Sequence, residues 1–390
     1  MRTLITCICP VILLLGCSST EVKEFSQPPL ITLESKSFTA TEVESLDEIF
    51  ALTDEMKSQL DEAFALRKGD LSATKRLMMF LLNNGDKTVR YQSGATLTAA
   101  QTYHQLNANC LSLSILAYSM AEHLGLRAQV QRVHIPEYWA LNRGYNLLTG
   151  HINLKLDTPK RTRGNVLEVY NAQRQVIVDF APDISGTEFK TTPISKERVA
   201  AMYYNNKGAS ALVNNDLPTA YSYFKAAIDI DPYYSGGWGN LGILFRVASE
   251  FDNAEAAYEY ALAIDSNNNT ALGNLAILYR LTERENQAEA IESQLAQKRR
   301  ENPYYQIALG NESIVKKEYS AALRYFRKAR ELDDKIHESY FGIAHTYYLM
   351  GDIKAATKYL KMAQKTAQFD YDKKRYQGKL ATLGLIAQNH

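Results

Sequence analysis

The chain has 390 residues, which is room for two domains. Its formal net charge is +1, and acidic and basic residues are interspersed along it. A nucleic-acid-binding protein is expected to carry a basic stripe, so this pattern argues against a nucleic-acid partner. Beyond the first residues there is no long apolar run, and no transmembrane helix is predicted.

Residues 1–16 are predicted to be an export signal. Arg2 supplies a positive charge, and residues 5–15 form an apolar core that is shorter than the roughly 20 residues a bilayer-spanning helix needs. The core runs into Leu14-Leu15-Gly16-Cys17, which resembles the lipobox of bacterial lipoproteins. In such signals the cysteine becomes the first residue of the mature chain and carries the lipid, so Cys17 is the expected attachment site. The alternative is an ordinary signal peptide.

The lipobox resemblance implies anchoring of the chain in a membrane through its N-terminal lipid, palmitate among the acyl chains. Ser18 rather than Asp follows the cysteine, which by the same resemblance implies the outer membrane, with the protein facing the periplasm. Several acyl chains anchor a protein more firmly than one. Residues 17–44 are polar and contain Pro28 and Pro29, so they are predicted to form a lipidated flexible tether.

Residues 45–198 are not repetitive and are predicted to form an α+β domain. Ser45 and Glu48 have the spacing of a capping box, which predicts a helix continuing to Leu66. Further helices are predicted over 71–82, 98–103 and from Cys110 to Gly125. Alternating apolar residues then predict strands at 128–133, 150–156, 165–169 and 175–180. Helices followed by antiparallel strands are typical of an α+β fold.

Cys110 is the cysteine that remains when the other three, Cys7, Cys9 and Cys17, are assigned to the export signal and the lipid. An unpaired thiol in an exported protein is a candidate reactive group. Cys110 lies in the first turn of its predicted helix, where the positive end of the helix dipole favours the thiolate. His151 begins one predicted strand and Asp179 ends another, and such positions can be neighbours in an antiparallel sheet. Cys110, His151 and Asp179 are therefore the predicted catalytic triad.

Each of these assignments has an alternative. A lone cysteine on a helix, without the other two residues, is more often a small buried apolar residue. His104, His123 and His134 compete with His151 for the role of the base. Asp183 competes with Asp179 for the orienting role. Gln105 is a candidate oxyanion donor or a surface residue, and Trp139 in a predicted loop either lines a substrate groove or packs in the core.

The stretch from Thr98 to Pro182 resembles the transglutaminase-like superfamily. The resemblance lies in the sequence CLSLSILAYSMAEHLGL that opens with Cys110, in His151 at the start of a strand, and in the V-D-F-A-P turn around Asp179. It implies a papain-like fold in which Cys110 is the nucleophile, His151 the general base and acid, and Asp179 the residue that orients the imidazole. The superfamily contains transglutaminases, peptidases, deamidases and inactive relatives. The chain departs from it at Asn109, where many members have Trp, and in the basic insertion at 157–164.

Residues 199–369 contain a 34-residue period in five copies. The first helix of each copy carries a small residue at Gly208, Gly242, Ala276, Gly310 and Ala344. The second helix opens with a small residue at Ala220, Ala254, Ala288, Ala322 and Ala356. Four residues later come Phe224, Tyr258, Glu292, Phe326 and Leu360. This pattern resembles the tetratricopeptide repeat, which implies an all-α superhelix of stacked helix pairs.

The third and fourth copies depart from the pattern at Glu292, Leu295 and Gln306. The second helix of the third repeat is therefore expected to pack loosely or to carry a contact. Residues 370–390 are predicted to form a capping helix.

The repeat resemblance implies a protein partner, because such arrays usually bind extended peptides along the face that the first helices line. In this register the face includes Arg246, Arg280, Asn311, His345 and Tyr348. The functional interpretation is a peptide groove with some positive charge, and the alternative is a solvated helix surface. Asn206, Asn240 and Asn274 are interpreted as part of the repeat pattern rather than as a ligand clamp.

The sequence contains no cysteine pair with zinc spacing, no His-Glu-x-x-His and no glycine-rich phosphate loop, so neither a metal nor a cofactor is predicted. The function expected is that of an envelope lipoprotein with a thiol acyltransferase or amidohydrolase domain, acting on polypeptide amides, and a protein-binding repeat array. One alternative is an inactive scaffold whose repeats bind envelope proteins. Another is a lipoprotein that only anchors a peptide-binding array.

Overall fold

The computed structural model of the protein describes residues 27–65, 73–82, 90–92, 94–105, 107–134, 141–142, 145–146, 151–157, 175–180, 190–367 and 370–388. Over these ranges, no helix combines the length and the apolar character that crossing a bilayer requires. The predicted signal at 1–16, the strand at 165–169 and most of the basic insertion at 157–164 lie outside them.

The N-terminal part begins with short helices, α1 (Leu46–Phe50), α2 (Asp54–Ala65), α3 (Ala73–Leu82) and α4 (Ala99–Gln105). The capping box at the start of α1 is present, because Ser45 Oγ accepts from the Glu48 backbone N–H and Glu48 Oε2 accepts from the Ser45 N–H at 2.7 Å. The segment predicted to be helical up to Leu66 contains two helices rather than one, and residue 66 itself lies outside the described residues. The chain leaves the helix at Ala51, which is extended, and α2 starts afresh where Thr53 Oγ1 accepts from the Met56 N–H.

Two short strands, β1 (Arg90–Tyr91) and β2 (Asn107–Ala108), pair in parallel just before the long helix α5 (Cys110–His123). The helix is followed by Gly125, whose φ of +65° lies in the left-handed region that glycine adopts readily. The strands that come next are β3 (Arg127–Val133), β4 (Leu141–Asn142), β5 (Tyr145–Asn146), β6 (His151–Asp157), β7 (Gln175–Val178) and β8 (Thr191–Pro193).

Four of these strands form one sheet in the order β7-β6-β3-β8, with every neighbouring pair antiparallel. β4 and β5 pair separately with each other. Ile152, Leu154 and Leu156 alternate along β6 and are fully buried, in one core with Leu111 and Met120 of α5. The helix that begins at Cys110 therefore packs on the sheet that begins at His151.

Five helix pairs and a final helix follow. The pairs are α6 (Lys196–Val213) with α7 (Leu217–Ile230), α8 (Ser235–Val247) with α9 (Phe251–Ile264), α10 (Asn269–Leu281) with α11 (Glu285–Arg300), α12 (Pro303–Val315) with α13 (Tyr319–Leu332), and α14 (His337–Leu349) with α15 (Ile353–Thr366). The final helix is α16 (Asp370–Gln388), as predicted for the cap. A residue with positive φ joins the two helices of each pair, and these residues recur every 34 positions at Asn215, Ser249, Glu283, Lys317 and Gly351.

The two helices of a repeat approach closely where a glycine faces an aromatic ring. A Cβ added to Gly208, Gly242 or Gly310 would lie only 2.6–2.7 Å from the ring of Phe224, Tyr258 or Phe326. In the remaining repeats alanine takes the place of glycine, and the facing residues are Glu292 and Leu360 rather than aromatic. Helix packing in this tetratricopeptide-type array thus depends on a match between glycine and ring.

The core of the array is interrupted inside the third repeat. One cluster of buried apolar residues extends from α6 to Ala288 in α11, and the next begins at Ile307 in α12. Most of α11 is exposed, with only Ala288 and Leu295 buried along it. The departures from the repeat pattern therefore coincide with a weak point in the packing.

The N-terminal domain and the first repeat share one core. Val199 and Tyr203 of α6 belong to the same buried cluster as Ile49 of α1 and Leu116 of α5. Lys196, the first residue of α6, places its ammonium 4.8 Å from the centre of the Phe50 ring. The domain that carries Cys110 is thus packed directly against the repeats.

The prediction of a flexible tether up to residue 44 does not fit residues 34–44, which we call the N-terminal strap. The strap bends at Lys36 and Ser37, lies against α6, α7 and the start of α9, and is fixed by hydrogen bonds at both ends. The polar composition that suggested a solvated tether instead supplies partners for buried tyrosine and glutamate side chains.

Candidate functional site

The start of α5 is held rigidly by a network of polar side chains. Asn109 caps the helix, its Oδ1 accepting from the backbone N–H and the hydroxyl of Ser112 at 2.9 and 3.0 Å. Its Nδ2 donates to Thr96 Oγ1 at 2.8 Å, and Ser112 Oγ accepts from the Leu97 N–H at 2.8 Å. Sequence reasoning noted Asn109 as a cap but missed Thr96 and Ser112. The N-x-x-S spacing of Asn109 and Ser112 was the available signal.

Cys110, His151 and Asp179 come together at the ends of α5, β6 and β7. Cys110 is the first residue of α5, is half-buried and forms no disulfide. His151 Nε2 lies 2.9 Å from Asp179 Oδ2, and the imidazole is close enough to the Cys110 side chain for the thiol to influence its pKa. Because Asp179 occupies Nε2, the ring nitrogen left for the thiol is Nδ1.

The electrostatics of His151 follow from this position. Burial of the imidazole, only 8% exposed, lowers its pKa, but the hydrogen bonds and negative charges of Asp179 and Cys110 outweigh the burial and raise the pKa to about 9. The ring is thus a protonated group at neutral pH, positioned between a thiol and a carboxylate. Such a pair can supply a nucleophile and a proton.

The other histidines weighed for the base role lie elsewhere. His104 is exposed and meets the Tyr103 ring edge-on, and His123 Nε2 is 2.9 Å from Asp61 Oδ1. His134 is exposed next to Thr192. None of these contacts leads to Cys110.

Gln105, the proposed oxyanion donor, is the exposed last residue of α4. The hydrogen bonds made by the described residues do not join it to Cys110, so its role stays a prediction. Trp139 and Asp183 lie outside the described residues.

A further polar group lies beside His151. Asn153 is two residues along β6, so its side chain leaves the strand on the same side as that of His151. It is 5% exposed, and its Oδ1 has no hydrogen-bond partner within the described structure. A buried oxygen that accepts no hydrogen bond is unfavourable unless another group donates to it.

The residues predicted to line the repeat groove fall into two groups. Arg246 and Arg280 face the second helix of their own repeat. Arg246 lies beside Tyr258, whose pKa is raised to about 12 by burial. Arg280 Nη2 and Nε contact Glu292 at 2.6 and 2.8 Å, and its Nη1 contacts Glu285. Glu292, which replaces the aromatic residue of the pattern, therefore neutralises a charge that the sequence assigned to the groove.

Asn311, His345 and Tyr348 are exposed, as a peptide-contacting face requires. His345 stacks on Phe341 with 6.0 Å between ring centres, and Lys379 of α16 lies 5.5 Å above the Phe341 ring. The capping helix therefore reaches the last turn of this face. Asn240 and Asn274 are buried and bonded within the array, to Asn205 Oδ1 and to the Thr270 carbonyl oxygen.

Two predictions concern parts of the chain beyond these sites. Cys17, the predicted lipid attachment residue, lies outside the described residues. Over the residues that are described, no three His, Cys, Asp or Glu side chains come together as metal ligands.

Comparison with known proteins finds similarity to solved structures. No protein-family model matches the chain, and no curated protein matches it. A structure of PilF from Pseudomonas aeruginosa is 21% identical with a TM-score of 0.26, over 50% of this chain and 93% of that one. YrrB, described as a tetratricopeptide repeat protein with an unusual peptide-binding site, is 18% identical with a TM-score of 0.24, over 49% and 92%. A tetratricopeptide repeat protein from Parabacteroides merdae is 21% identical with a TM-score of 0.25, over 47% and 73%.

The repeat assignment rests on this chain's own 34-residue period and helix pairing. The fold defines a tetratricopeptide-type repeat protein that carries a smaller domain with an antiparallel sheet.

Proposed function

We propose that the protein is a protein-binding repeat scaffold whose N-terminal domain is a transglutaminase-like thiol centre acting on polypeptide amides. The observation that carries the proposal is the contact of His151 with both Cys110 and Asp179. A thiol and a carboxylate on opposite sides of one imidazole form the arrangement of thiol acyltransferases and hydrolases.

The reaction proceeds as two acyl transfers, first to Cys110 and then to water or an amine. The Cys110 thiolate attacks an amide carbonyl and a C–S bond forms. Protonated His151 donates its proton to the leaving nitrogen as the C–N bond breaks, which releases ammonia or an amine and leaves a thioester. Neutral His151 then takes a proton from water or an amine, whose attack breaks the C–S bond and returns the Cys110 thiolate beside protonated His151. Asp179 stabilises the imidazolium and fixes its orientation.

Asn153 is the residue of this centre that accepts from the substrate. Among the residues that the structure describes, none donates to its buried Oδ1, and a polypeptide substrate supplies amide N–H groups. Binding the substrate there satisfies an acceptor that is otherwise orphaned, which favours the bound state.

The test is the reactivity of Cys110 with iodoacetamide as a function of pH, followed by mass spectrometry of the full chain. The proposal expects rapid labelling at pH 6 to 7 that slows in the His151→Ala variant. The matched control is His123→Ala, which removes an imidazole paired with Asp61. A wild-type thiol that labels slowly until pH reaches about 8.5, as free cysteine does, would contradict an activated nucleophile.

A second candidate is a scaffold without catalysis. It is favoured by the core that the N-terminal domain shares with the first repeat, because this packing gives the domain a structural role of its own. Affinity purification with wild type and Cys110→Ala separates the two. An inactive scaffold retains the same partners with unchanged masses, whereas an acyltransferase or amidohydrolase alters the mass of at least one partner.

The polypeptide partner binds along the exposed side chains of Asn311, His345 and Tyr348.

The chain is held at the outer membrane, facing the periplasm, by a lipid on Cys17. Incorporation of labelled palmitate into wild type but not into Cys17→Ser, with release of that variant from the membrane fraction, supports the anchor. Equal labelling of the two proteins would refute it.

A further inference from the structure

The N-terminal strap occupies a built site on the first two repeats. Three elements supply it: α6 contributes Tyr203, Tyr204 and Lys207, α7 contributes Tyr221, Ser222 and Tyr223, and the start of α9 contributes Glu250 and Asn253. These residues belong to the first two repeats. The site is thus formed largely by second helices, whereas the predicted peptide groove is lined by first helices.

Glu250 is the centre of the site. Its carboxylate is 9% exposed and accepts from Ser35 Oγ at 2.7 Å, from the Lys36 backbone N–H at 3.0 Å and from the Ser37 N–H at 2.9 Å. Burial raises the pKa of Glu250, but these bonds and that of Asn253 outweigh it and lower the pKa to about 2. A carboxylate that receives a hydroxyl and two successive main-chain donors recognises a peptide turn.

Glu250 stands at the position that caps α9, yet its side chain makes no capping bond to that helix. Asp216 and Asp352, at the corresponding positions of other repeats, do cap their helices. The carboxylate of Glu250 is therefore directed to the strap instead of to its own helix.

Two side chains of α7 also bind the strap. The Tyr221 hydroxyl accepts from the Ser35 N–H at 3.1 Å and donates to Glu34 Oε2 at 2.9 Å. Ser222, 2% exposed, accepts from the Thr41 N–H at 2.9 Å.

At the other end, Glu44 is bound by a cluster of hydroxyl groups and a lysine. Tyr203 and Tyr223 donate to the two oxygens of its carboxylate at 3.0 and 2.9 Å, and Lys207 lies 3.7 Å from it. The Tyr204 hydroxyl donates to the main-chain oxygen of Glu44 at 2.5 Å.

We propose that this surface is a second peptide-binding site of the array, specific for a segment that turns at a Ser between acidic residues, and that residues 34–44 of the same chain fill it. The next residue, Ser45, caps α1, whose Ile49 and Phe50 belong to the core around α5. This inference is independent of catalysis and of the lipid.

The first experiment measures protection of the strap in the full chain. Trypsin cleaves after Lys36, whose backbone N–H is bonded to Glu250. We expect cleavage there to be at least about tenfold faster in Glu250→Ala than in wild type. The matched control is Glu318→Ala, because Glu318 holds the same position in the fourth repeat, is exposed and makes no capping bond. Circular dichroism checks that each variant is folded.

The second experiment opens the site without altering it. Glu34, Ser35 and Glu44, whose side chains bond to Tyr221, to Glu250 and to the Tyr203 and Tyr223 hydroxyls, are replaced by Ala in the full chain, and a fluorescent peptide of residues 30–45 is added in trans. The peptide is expected to bind this variant at least about tenfold more tightly than wild type, and to lose that binding when Glu250→Ala is added. Equal cleavage after Lys36 in wild type and Glu250→Ala, or no binding of the peptide to the opened chain, overturns the proposal. A wild-type dimer in light scattering that dissociates on loss of the strap contacts overturns occupancy by the same chain.

Discussion

His151 Nε2 lies 2.9 Å from Asp179 Oδ2, across the antiparallel pair of β6 and β7. The two residues are 28 positions apart, and the strand pairing is what brings them together. Together with the Cys110 contact, this hydrogen bond sets the charge of the imidazole, and the first two predictions follow from it.

Asp179→Asn is expected to lower the pKa of His151 from about 9 toward its ordinary value of 6.5, because it replaces a charged carboxylate by a neutral amide, which is a weaker acceptor. The measurement is an NMR titration of the imidazole protons. Asp61→Asn, which alters the partner of His123, is the matched control and leaves the titration of His151 unchanged. A His151 titration that is the same in wild type and Asp179→Asn would exclude Asp179 as the orienting group.

The same pKa predicts how stability depends on pH. The pKa of His151 is raised in the folded protein, so its contribution is complete below about 6.5 and is lost as pH rises through about 9. At about 1.4 kcal/mol per pKa unit, this contribution is at most on the order of 3 kcal/mol. At pH 6, urea unfolding should show a larger free energy of unfolding for wild type than for Asp179→Asn. At pH 9.5 this difference should be lost. An advantage that grows with pH would have the wrong sign.

The sequence predicted those features that depend on local pattern. The 34-residue spacing of small residues located all ten repeat helices, because each copy repeats the same helix-to-helix contact. The cap residue Asn109 and Gly125 marked the two ends of α5. The substitution of Glu292 for an aromatic residue indicated a loosely packed helix or a contact, and the structure has both, in the exposed α11 and the pair with Arg280.

Features that depend on contacts between distant parts of the chain were not visible. Glu44 meets Tyr203 and Tyr223, 159 and 179 positions away, and nothing in the polar composition of the strap signals such partners. Strand β8 was missed because three residues are too few to show an alternating pattern, and it is defined by pairing with β3. For the site, sequence order suggested Cys110, His151 and Asp179, whereas the orphaned oxygen of Asn153 appears only once burial is known.

Gly242→Ala is expected to destabilise the array by about 1–3 kcal/mol. The new Cβ would lie 2.6 Å from the Tyr258 ring in a fully packed site, so the helices must separate. Gly378→Ala is the control, because Gly378 lies in helix α16 with nothing within 4 Å of the added Cβ. That change should stabilise the protein by roughly 0.5–1 kcal/mol through helix propensity. Urea unfolding measures both, and equal effects of the two substitutions would show that the ring contact is unimportant.

The pairing of a glycine with an aromatic ring also predicts that two substitutions in the third repeat, Glu292→Phe and Ala276→Gly, have coupled effects on stability. Glu292→Phe alone should not stabilise the protein, because the ring meets the Cβ of Ala276, where the other ring-bearing repeats have glycine. The exposed ion pair with Arg280 that it removes contributes little. With Ala276→Gly present, the ring has room to pack between the helices. The free energy of unfolding of the double variant should then exceed the value obtained by adding the two single changes by about 1–2 kcal/mol. A double-mutant cycle in urea measures this coupling. Ala344→Gly with Leu360→Phe, the corresponding pair in the fifth repeat, should give a coupling of the same sign without an ion pair to remove, and strictly additive effects in both repeats would disprove the packing rule.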